Sequence, residues 1–319
     1  MSLLQSISLL HHASHQAFPI GRNGSVMKRL KFFCRSWPER QCNVVWFELL
    51  RHDDFLRQLA AHDHRIYRKL YRPYLSASWS KARTLAALQA NYAILQAALP
   101  LASLQKIFLS DEFCLAEWSA NRTYRLQLTH DPRFYQEGEL TLSLLCPELG
   151  EGALAILSTT LAPAEDGNLA MYIGGLQGAE HALGAPAIKD AGKDLHGLRP
   201  KSLIVIAAQL LANQLGCQHI LATTAASHAY STDERRQSGE RQKMFFDYDA
   251  FWEECDGVRE GEAFLALPLT SARRPREEMK PQKRPMYNRR YAMLDELAAA
   301  VSQSLQVKNF QPQIDADEH

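Results

Sequence analysis

Tyr172 to Tyr230 reads YIGGLQGAEHALGAPAIKDAGKDLHGLRPKSLIVIAAQLLANQLGCQHILATTAASHAY, and the rest of the chain is arranged around it. The opening, Asn168 to Leu176, is apolar, carries aromatic and branched residues and stops at glycines, which predicts a strand running into a turn. Pro200 suits a first helical turn, where its missing N–H has no partner to lose, and Gly216 sits where a left-handed C-terminal cap belongs. Between them Leu203, Ile206, Ala207, Leu210 and Leu211 share one apolar face, so this helix is expected to be largely buried. Cys217 to Thr224 then reads as a second strand. Two strands joined through a helix are most simply parallel neighbours linked by a right-handed crossover.

Lys193, His196, Arg199 and Lys201 cluster just before or inside the first turn of that helix. Helix N-termini expose unpaired N–H groups and positive partial charge, so added cations make a site for a phosphate or carboxylate. The competing reading is a solvated loop before a core helix.

Elsewhere the texture changes twice. From about Ser25 to Leu99 apolar residues such as Val44, Val45, Phe47, Leu49, Phe55, Leu56 and Leu59 recur at helical spacing, and Leu85 to Leu99 continues without Gly or Pro. The basic, aromatic segment HRIYRKLYRPYLSASWSK (64 to 81) is read as snorkelling over a neighbouring part of the chain, with lipid or phosphate contact as the alternative. After Pro100 come shorter apolar runs at Phe113–Trp118, Tyr124–Leu128, Leu140–Cys146, Leu154–Leu161 and Leu169–Ile173, separated by turn signals that include Glu137-Gly138. Short connections favour an antiparallel meander. A helix from about Arg241 to Glu254, a strand at Ala263–Leu267 and a final helix from Met286 to Leu305 complete the chain. The expectation is an α+β fold. It has a flexible start (1–24), a helical segment (25–100), a mixed sheet with a meander and one parallel strand-helix-strand crossover (101–306), and a disordered tail (307–319).

A chain of 319 residues can bury a large core, and its net charge of +1 argues against nucleic-acid binding through overall charge. The six cysteines form no CxxC pair, so buried reduced thiols are expected rather than a zinc site or disulfide framework. MSLLQSISLLHHASH lacks the pattern of an export signal, and the most apolar run, Leu203 to Ala212, is too short to span a bilayer. The expected location is the cytoplasm, with peripheral contact at the inner membrane left open. Walker, GxGxxG, GxSxG, HExxH and calcium-loop motifs are all missing.

At YIGGLQG (172 to 178), LHGLRPK (195 to 201), SHAY (227 to 230), YDAFWEE (248 to 254) and KRPMYNRRY (283 to 291) the sequence resembles the VirK/YbjX family of bacterial proteins, a domain of unknown function. The resemblance runs from roughly residue 30 to 306. It implies a Gram-negative protein linked with virulence and with envelope or antimicrobial-peptide resistance, and it supplies no catalytic set. The order of elements also resembles the GNAT-like acyltransferase fold, in which two parallel strands splay to admit an acyl-thioester and the helix N-terminus meets its pyrophosphate. Two departures stand out: the Q/R-x-x-G-x-G/A loop is missing, and about two dozen residues separate the first strand from the helix. An acyl carrier protein, or another unusual acyl-thioester donor, fits these departures better than acyl-CoA held in the common manner.

Within that frame His228, at the carboxyl end of the second parallel strand, is the preferred site histidine, because open α/β sheets place ligands there. Tyr230 would orient it or donate to a leaving group. His196 is the other candidate base. Against these stand the plainer readings, a turn histidine bonding a carbonyl and a strand cap. Ser227 lacks a nucleophile elbow. Lys193, Arg199 and Lys201 would hold the anionic part of the donor. The segment Arg273 to Arg290, with eight Arg or Lys and two acids, offers Arg284, Arg289 and Arg290 to a substrate or anionic membrane, or is a solvated linker. Tyr248, Phe251 and Trp252, spaced for one helical face, read as core, with a substrate platform as the alternative. The leading expectation is an envelope-acting acyltransferase, with an anionic lipid, a lipid precursor or an acylated carrier protein as partner. Its rival is a non-catalytic lipid- or protein-binding factor with the same fold.

Overall fold

The computed structural model describes residues 3–19, 25–231 and 247–308. The N-terminal part is helical: α1 (Leu3–Ala17), α2 (Ser25–Ser36), α3 (Arg40–His52), α4 (Asp54–His62), a 3₁₀ segment (His64–Tyr71), α5 (Lys81–Ala98) and α6 (Leu101–Gln105). Local chemistry sets several of these boundaries. The Asp53 carboxylate accepts from Leu56 N–H at 2.8 Å and Ser80 Oγ accepts from Arg83 N–H at 3.1 Å, each satisfying an orphan donor at a helix start. Within the stretch expected to be a flexible start, Leu3–Ala17 forms a helix. Leu9, Leu10, Ala13 and Ala17 recur every three or four positions and are buried, so α1 packs against α2 and α3.

Eight strands form one sheet: β1 (Cys114–Ser119), β2 (Thr123–Thr129), β3 (Leu140–Leu145), β4 (Ala153–Pro163), β5 (Leu169–Gln177), β6 (His219–Thr223), β7 (Val258–Glu260) and β8 (Phe264–Leu267). Their order is β1-β2-β3-β4-β5-β6-β8-β7. Among the described residues only β5 and β6 pair in parallel, Ala170 opposite His219 through Ile173 opposite Ala222; every other pairing is antiparallel. The meander and the single parallel crossover are as the sequence indicated. Strands β4 and β5 are buried on both faces, which explains their largely apolar texture; the exceptions in β4, Ser158, Thr159 and Thr160, are buried as well. The fully exposed β7 lacks that texture and was not anticipated.

Two helices, not one, fill the crossover: α7 (Ala185–Asp194) and α8 (Pro200–Gln214). The first escapes a sequence reading because only Ala187, Ala191 and Asp194 of its ten residues are buried. The second has Pro200 at its start and Gly216, at φ +74°, beyond its end, as expected. Two further helices follow, α9 (Tyr248–Glu254) and α10 (Arg284–Leu305). The expected start of α9 at Arg241 lies outside the described residues, as do 309–319 of the expected tail. Both α5 and α8 pack on β4, and the apolar core runs as one cluster from Leu9 to Leu305.

A buried polar network ties the helical part to the sheet. Lys69 Nζ donates to Glu139 Oε1 at 2.5 Å and to the Tyr135 carbonyl at 2.8 Å, and Tyr74 donates to the same carboxylate oxygen at 2.8 Å. Tyr92 donates to Glu139 Oε2, while Tyr74 and Thr160 hydroxyls lie 2.6 Å apart. This is where the basic, aromatic segment goes: Lys69 and Tyr74 are core residues. All six cysteines are free thiols, but only Cys146 and Cys217 are buried, whereas Cys34 and Cys114 are exposed.

Candidate functional site

The parallel ladder between β5 and β6 stops at Ile173 and Ala222, while β5 continues to Gln177 alongside β4. Beyond that point the free edge of β5 is met by side chains. Thr223 Oγ1 donates to the Gly174 carbonyl at 3.3 Å. Tyr248 Oη accepts from Leu176 N–H at 3.3 Å and donates to the Leu176 carbonyl at 3.0 Å. Helix α9 therefore supplies the edge partner that a further strand residue would have supplied.

Gly174 and Gly175 make room for an approach that no other residue type would allow. A Cβ on Gly174 would stand 2.0 Å from the Glu137 carbonyl oxygen, and one on Gly175 would stand 1.9 Å from Glu137 Oε2. Glu137 is thus pressed onto the face of β5, 2% exposed, with the Gln177 side chain bonded to its carboxyl. Burial pushes this acid up to about 8. Opposite it, His228 Nε2 lies 3.8 Å from Glu137 Oε1, and burial pulls the imidazole down to about 4. Glu137 Oε2 has no hydrogen-bond partner among the described residues, while the His228 ring has the Gly174 carbonyl beside it as a backbone acceptor. A buried carboxyl oxygen left without a donor, on a side chain whose other oxygen faces a buried histidine, makes this the candidate site.

His228 is positioned from three sides. The Tyr230 N–H donates to its Nδ1 at 3.2 Å, so the hydrogen of the neutral ring sits on Nε2, toward Glu137. The rings of Tyr230 and Tyr248 flank it at centroid distances of 5.3 and 5.4 Å. From the helical part, Ser76 bridges to His228 and Ala77 N–H donates to the Ser227 carbonyl at 2.6 Å. Leu75 there adopts φ +60°, a left-handed conformation that a branched side chain rarely takes, and its N–H donates to the Gln136 carbonyl next to Glu137. Ser227 is no nucleophile in this arrangement, since its Oγ donates to the Ala263 carbonyl.

The cations expected at the start of α8 divide into two groups. Lys193, His196 and Arg199 line an open groove of about 520 Å³ together with Lys189, Arg289, Ile188, Leu198 and Met286. Lys193 pairs with Asp190 at 2.7 Å, and Arg199 pairs with Glu254 of α9. His196 closes α7 in a left-handed conformation, φ +54°, and burial together with Arg289 and Arg290 lowers its pKa. Lys201 is not among the groove residues; its stem lies over Gly178 at the end of β5, and burial and Arg199 bring it down to about 8. The two candidate histidines share no partner among the described residues.

The basic segment is exposed along 273–283 except at Met279, and it winds through two short 3₁₀ turns into α10. Pro281 and Pro285 open helical turns rather than holding the chain straight. Arg290 donates from Nε and Nη2 to the His196 carbonyl at 3.1 and 2.8 Å, and Arg284 donates to the Met279 carbonyl at 3.3 Å. Of the three arginines, only Arg289 lines the groove.

Glu137 is the residue that sequence reasoning missed. Its partners arrive from β5, from the turn after β6 and from α9, and the signal that could have found it was the glycine pair inside an apolar strand. These partners are the segments YIGGLQG, SHAY and YDAFWEE brought to one place, while LHGLRPK and KRPMYNRRY meet at His196 and Arg290. Fold and site together define an α+β protein with a buried acid–imidazole pair where two parallel strands part. The chain belongs to the VirK/YbjX family: residues 22–303 match the family described as "Protein of unknown function (DUF535)". It is 34% identical over 270 residues to the uncharacterized protein YbjX of Escherichia coli strain K12, covering 84% of this chain and 80% of that one. An uncharacterized protein of Haemophilus influenzae is 23% identical over 293 residues, 90% of this chain and 95% of its own.

Proposed function

We propose that this protein is an acyltransferase of GNAT-like architecture that acts at the cell envelope from the cytoplasmic side. Its donor is an acyl-thioester, an acylated carrier protein in preference to acyl-CoA. The observation that carries this reading is the Glu137–His228 pair at the parting of β5 and β6. In the transfer step the hydroxyl or amine of an acceptor attacks the thioester carbonyl carbon and gives its proton to the ionised Glu137. The C–S bond breaks, and the thiolate leaves with the proton that Glu137 returns. A base with a pKa near 8 is matched to such a task near neutral pH. The role first given to His228 passes to Glu137 because His228 carries its hydrogen on Nε2, from which it donates to the carbonyl oxygen as charge builds there.

Lys193, Arg199 and Arg289 around the groove, with Lys201 beside it, suit the phosphate of a carrier-bound thioester, and the apolar Ile188, Leu198 and Met286 suit its chain. His196, capped by Arg290, contributes a donor at the groove wall and not the transferred proton. The acceptor is an anionic lipid or lipid precursor.

The test is single-turnover transfer from acylated carrier protein and from acyl-CoA to envelope lipid, followed by mass spectrometry. Wild-type protein is expected to turn over, and Glu137→Gln to lose at least about a hundredfold, the usual worth of a proton-transferring group. Equal rates for the two proteins, or a wild type inert with every donor, would remove the reading.

A second reading, a non-catalytic factor that binds an anionic lipid in the groove, is favoured by one observation: the Tyr248 hydroxyl occupies Leu176 on the β5 edge that a thioester arm would need. A bound lipid that survives purification, with no transfer, would favour it.

A further inference from the structure

Helix α2 has two faces, and only one of them is used by the fold. Phe32 is buried among Phe18, Phe47 and Tyr71, with ring centroids 6.0, 6.1 and 5.8 Å away, and this anchors the helix. On the side away from Phe32, Val26, Met27 and Leu30 are 75, 58 and 56% exposed. Their spacing of three and four residues makes them one stripe. Folding gains nothing from three large apolar side chains held in water, so the stripe marks a surface that meets something else. The same helix carries Lys28, Arg29, Lys31 and Arg35 and no acid. Lys28, Lys31 and Arg35 are exposed, whereas Arg29 is half-buried and donates to the Phe18 carbonyl at 2.8 Å. The one-sidedness extends further: the first 38 residues hold five of the 36 Lys and Arg and none of the 35 Asp and Glu. Helix α1, packed against α2, adds exposed Leu3, Leu4 and Ile7 and likewise has no acidic residue.

We infer that α2, with the start of α1, lies in the interface of an anionic lipid bilayer, its apolar stripe among the acyl chains and its cations at the headgroups. Interleaved apolar and cationic residues on a short helix are the pattern of in-plane binding, and no described helix is long and apolar enough to cross a membrane. A second copy of this chain is a poorer occupant, because a two-fold contact would set three exposed like charges against three. An anionic bilayer complements both parts of the surface. The surface is separate from the groove between α7 and α10, and the inference does not depend on acyl transfer.

The experiment is flotation of the full chain with vesicles of phosphatidylcholine alone and of phosphatidylcholine with phosphatidylglycerol, across a salt series. Wild-type protein is expected to float with the anionic vesicles at low salt and to be released as salt rises. Lys28→Gln with Lys31→Gln should weaken partition about tenfold or more, and Val26→Ser with Leu30→Ser should do the same without altering the helical circular dichroism. Wild type that stays unbound at low salt overturns the inference. So does full binding by both α2 variants, and so does loss of binding confined to Lys193→Gln with Arg289→Gln, which would move the contact to the groove. Sedimentation velocity showing a dimer that Leu30→Asp dissolves, with no vesicle binding, would assign the stripe to a second copy.

Discussion

Glu137 and His228 face each other across 3.8 Å, and the same burial drives their titrations in opposite directions, the acid up to about 8 and the imidazole down to about 4. Both are neutral near pH 7. Neither is inert, because each has moved toward the range in which the other ordinarily titrates.

Stability should record this pair as a slope on the alkaline side. Glu137, raised from 4.5, contributes stability that is complete below its unfolded value and lost as pH rises through about 8. His228, lowered from 6.5, contributes stability complete above 6.5 and lost as pH falls toward about 4. The two slopes oppose one another between 4.5 and 6.5 and leave Glu137 alone above 6.5. Urea titrations of wild-type protein should therefore lose about 2 kcal/mol between pH 6.5 and 8, and Glu137→Gln should abolish that loss. A flat wild-type profile would mean that the carboxyl is already ionised at pH 6.5.

The glycine pair offers a double-mutant test with unlike outcomes. Gly175→Ala puts a methyl against the Glu137 carboxyl, and Gly174→Ala puts one against its backbone carbonyl. Each should cost at least about 1–3 kcal/mol, the range for overpacking a filled site. Adding Glu137→Ala should relieve Gly175→Ala and leave Gly174→Ala unrelieved, since only the side chain is removed.

Tyr248→Phe removes one hydroxyl that serves both Leu176 N–H and C=O. Thermal denaturation should show a loss of about 1–2 kcal/mol, and amide exchange at Leu176 should quicken more than at Ile173, which remains within the ladder.

Lys69→Met should be far more damaging than its position in a basic segment suggests. It strands the buried Glu139 carboxylate without a cation, at a cost of about 3–5 kcal/mol, whereas breaking the exposed Arg57–Asp54 pair should cost about 1 kcal/mol or less. Equal effects in denaturant titrations would contradict the network.

Most of the fold was legible because burial wrote itself into the chain. Strands β4 and β5 are buried on both faces and read as predominantly apolar runs, β4 interrupted by Ser158, Thr159 and Thr160; Pro200 and Gly216 bracket α8 by backbone chemistry alone. Tyr248, Phe251 and Trp252 were read as core and are buried. Elements with few buried residues, α7 and β7, left little pattern to read. The site was half legible. His228 and Tyr230 follow from a general rule about the carboxyl ends of parallel strands. Glu137 sits in an Glu-Gly dipeptide that reads as an ordinary turn, and its chemistry comes from glycines and a histidine far along the sequence. The cations before α8 are close in sequence, yet the helix start turns Lys201 away from Lys193 and His196.

The Lys69–Glu139 network also bears on how the protein can be dissected. The mixed sheet supplies the carboxylate and the helical part supplies the ammonium and both phenols that surround it. A fragment starting near Leu101 would carry a naked charge in its own interior, and one ending near Leu99 would carry a lysine and tyrosines with nothing to hold. Neither half is a portable module. Recombination within this family should succeed only where the joined halves together restore Lys69, Tyr74 and Tyr92 around Glu139.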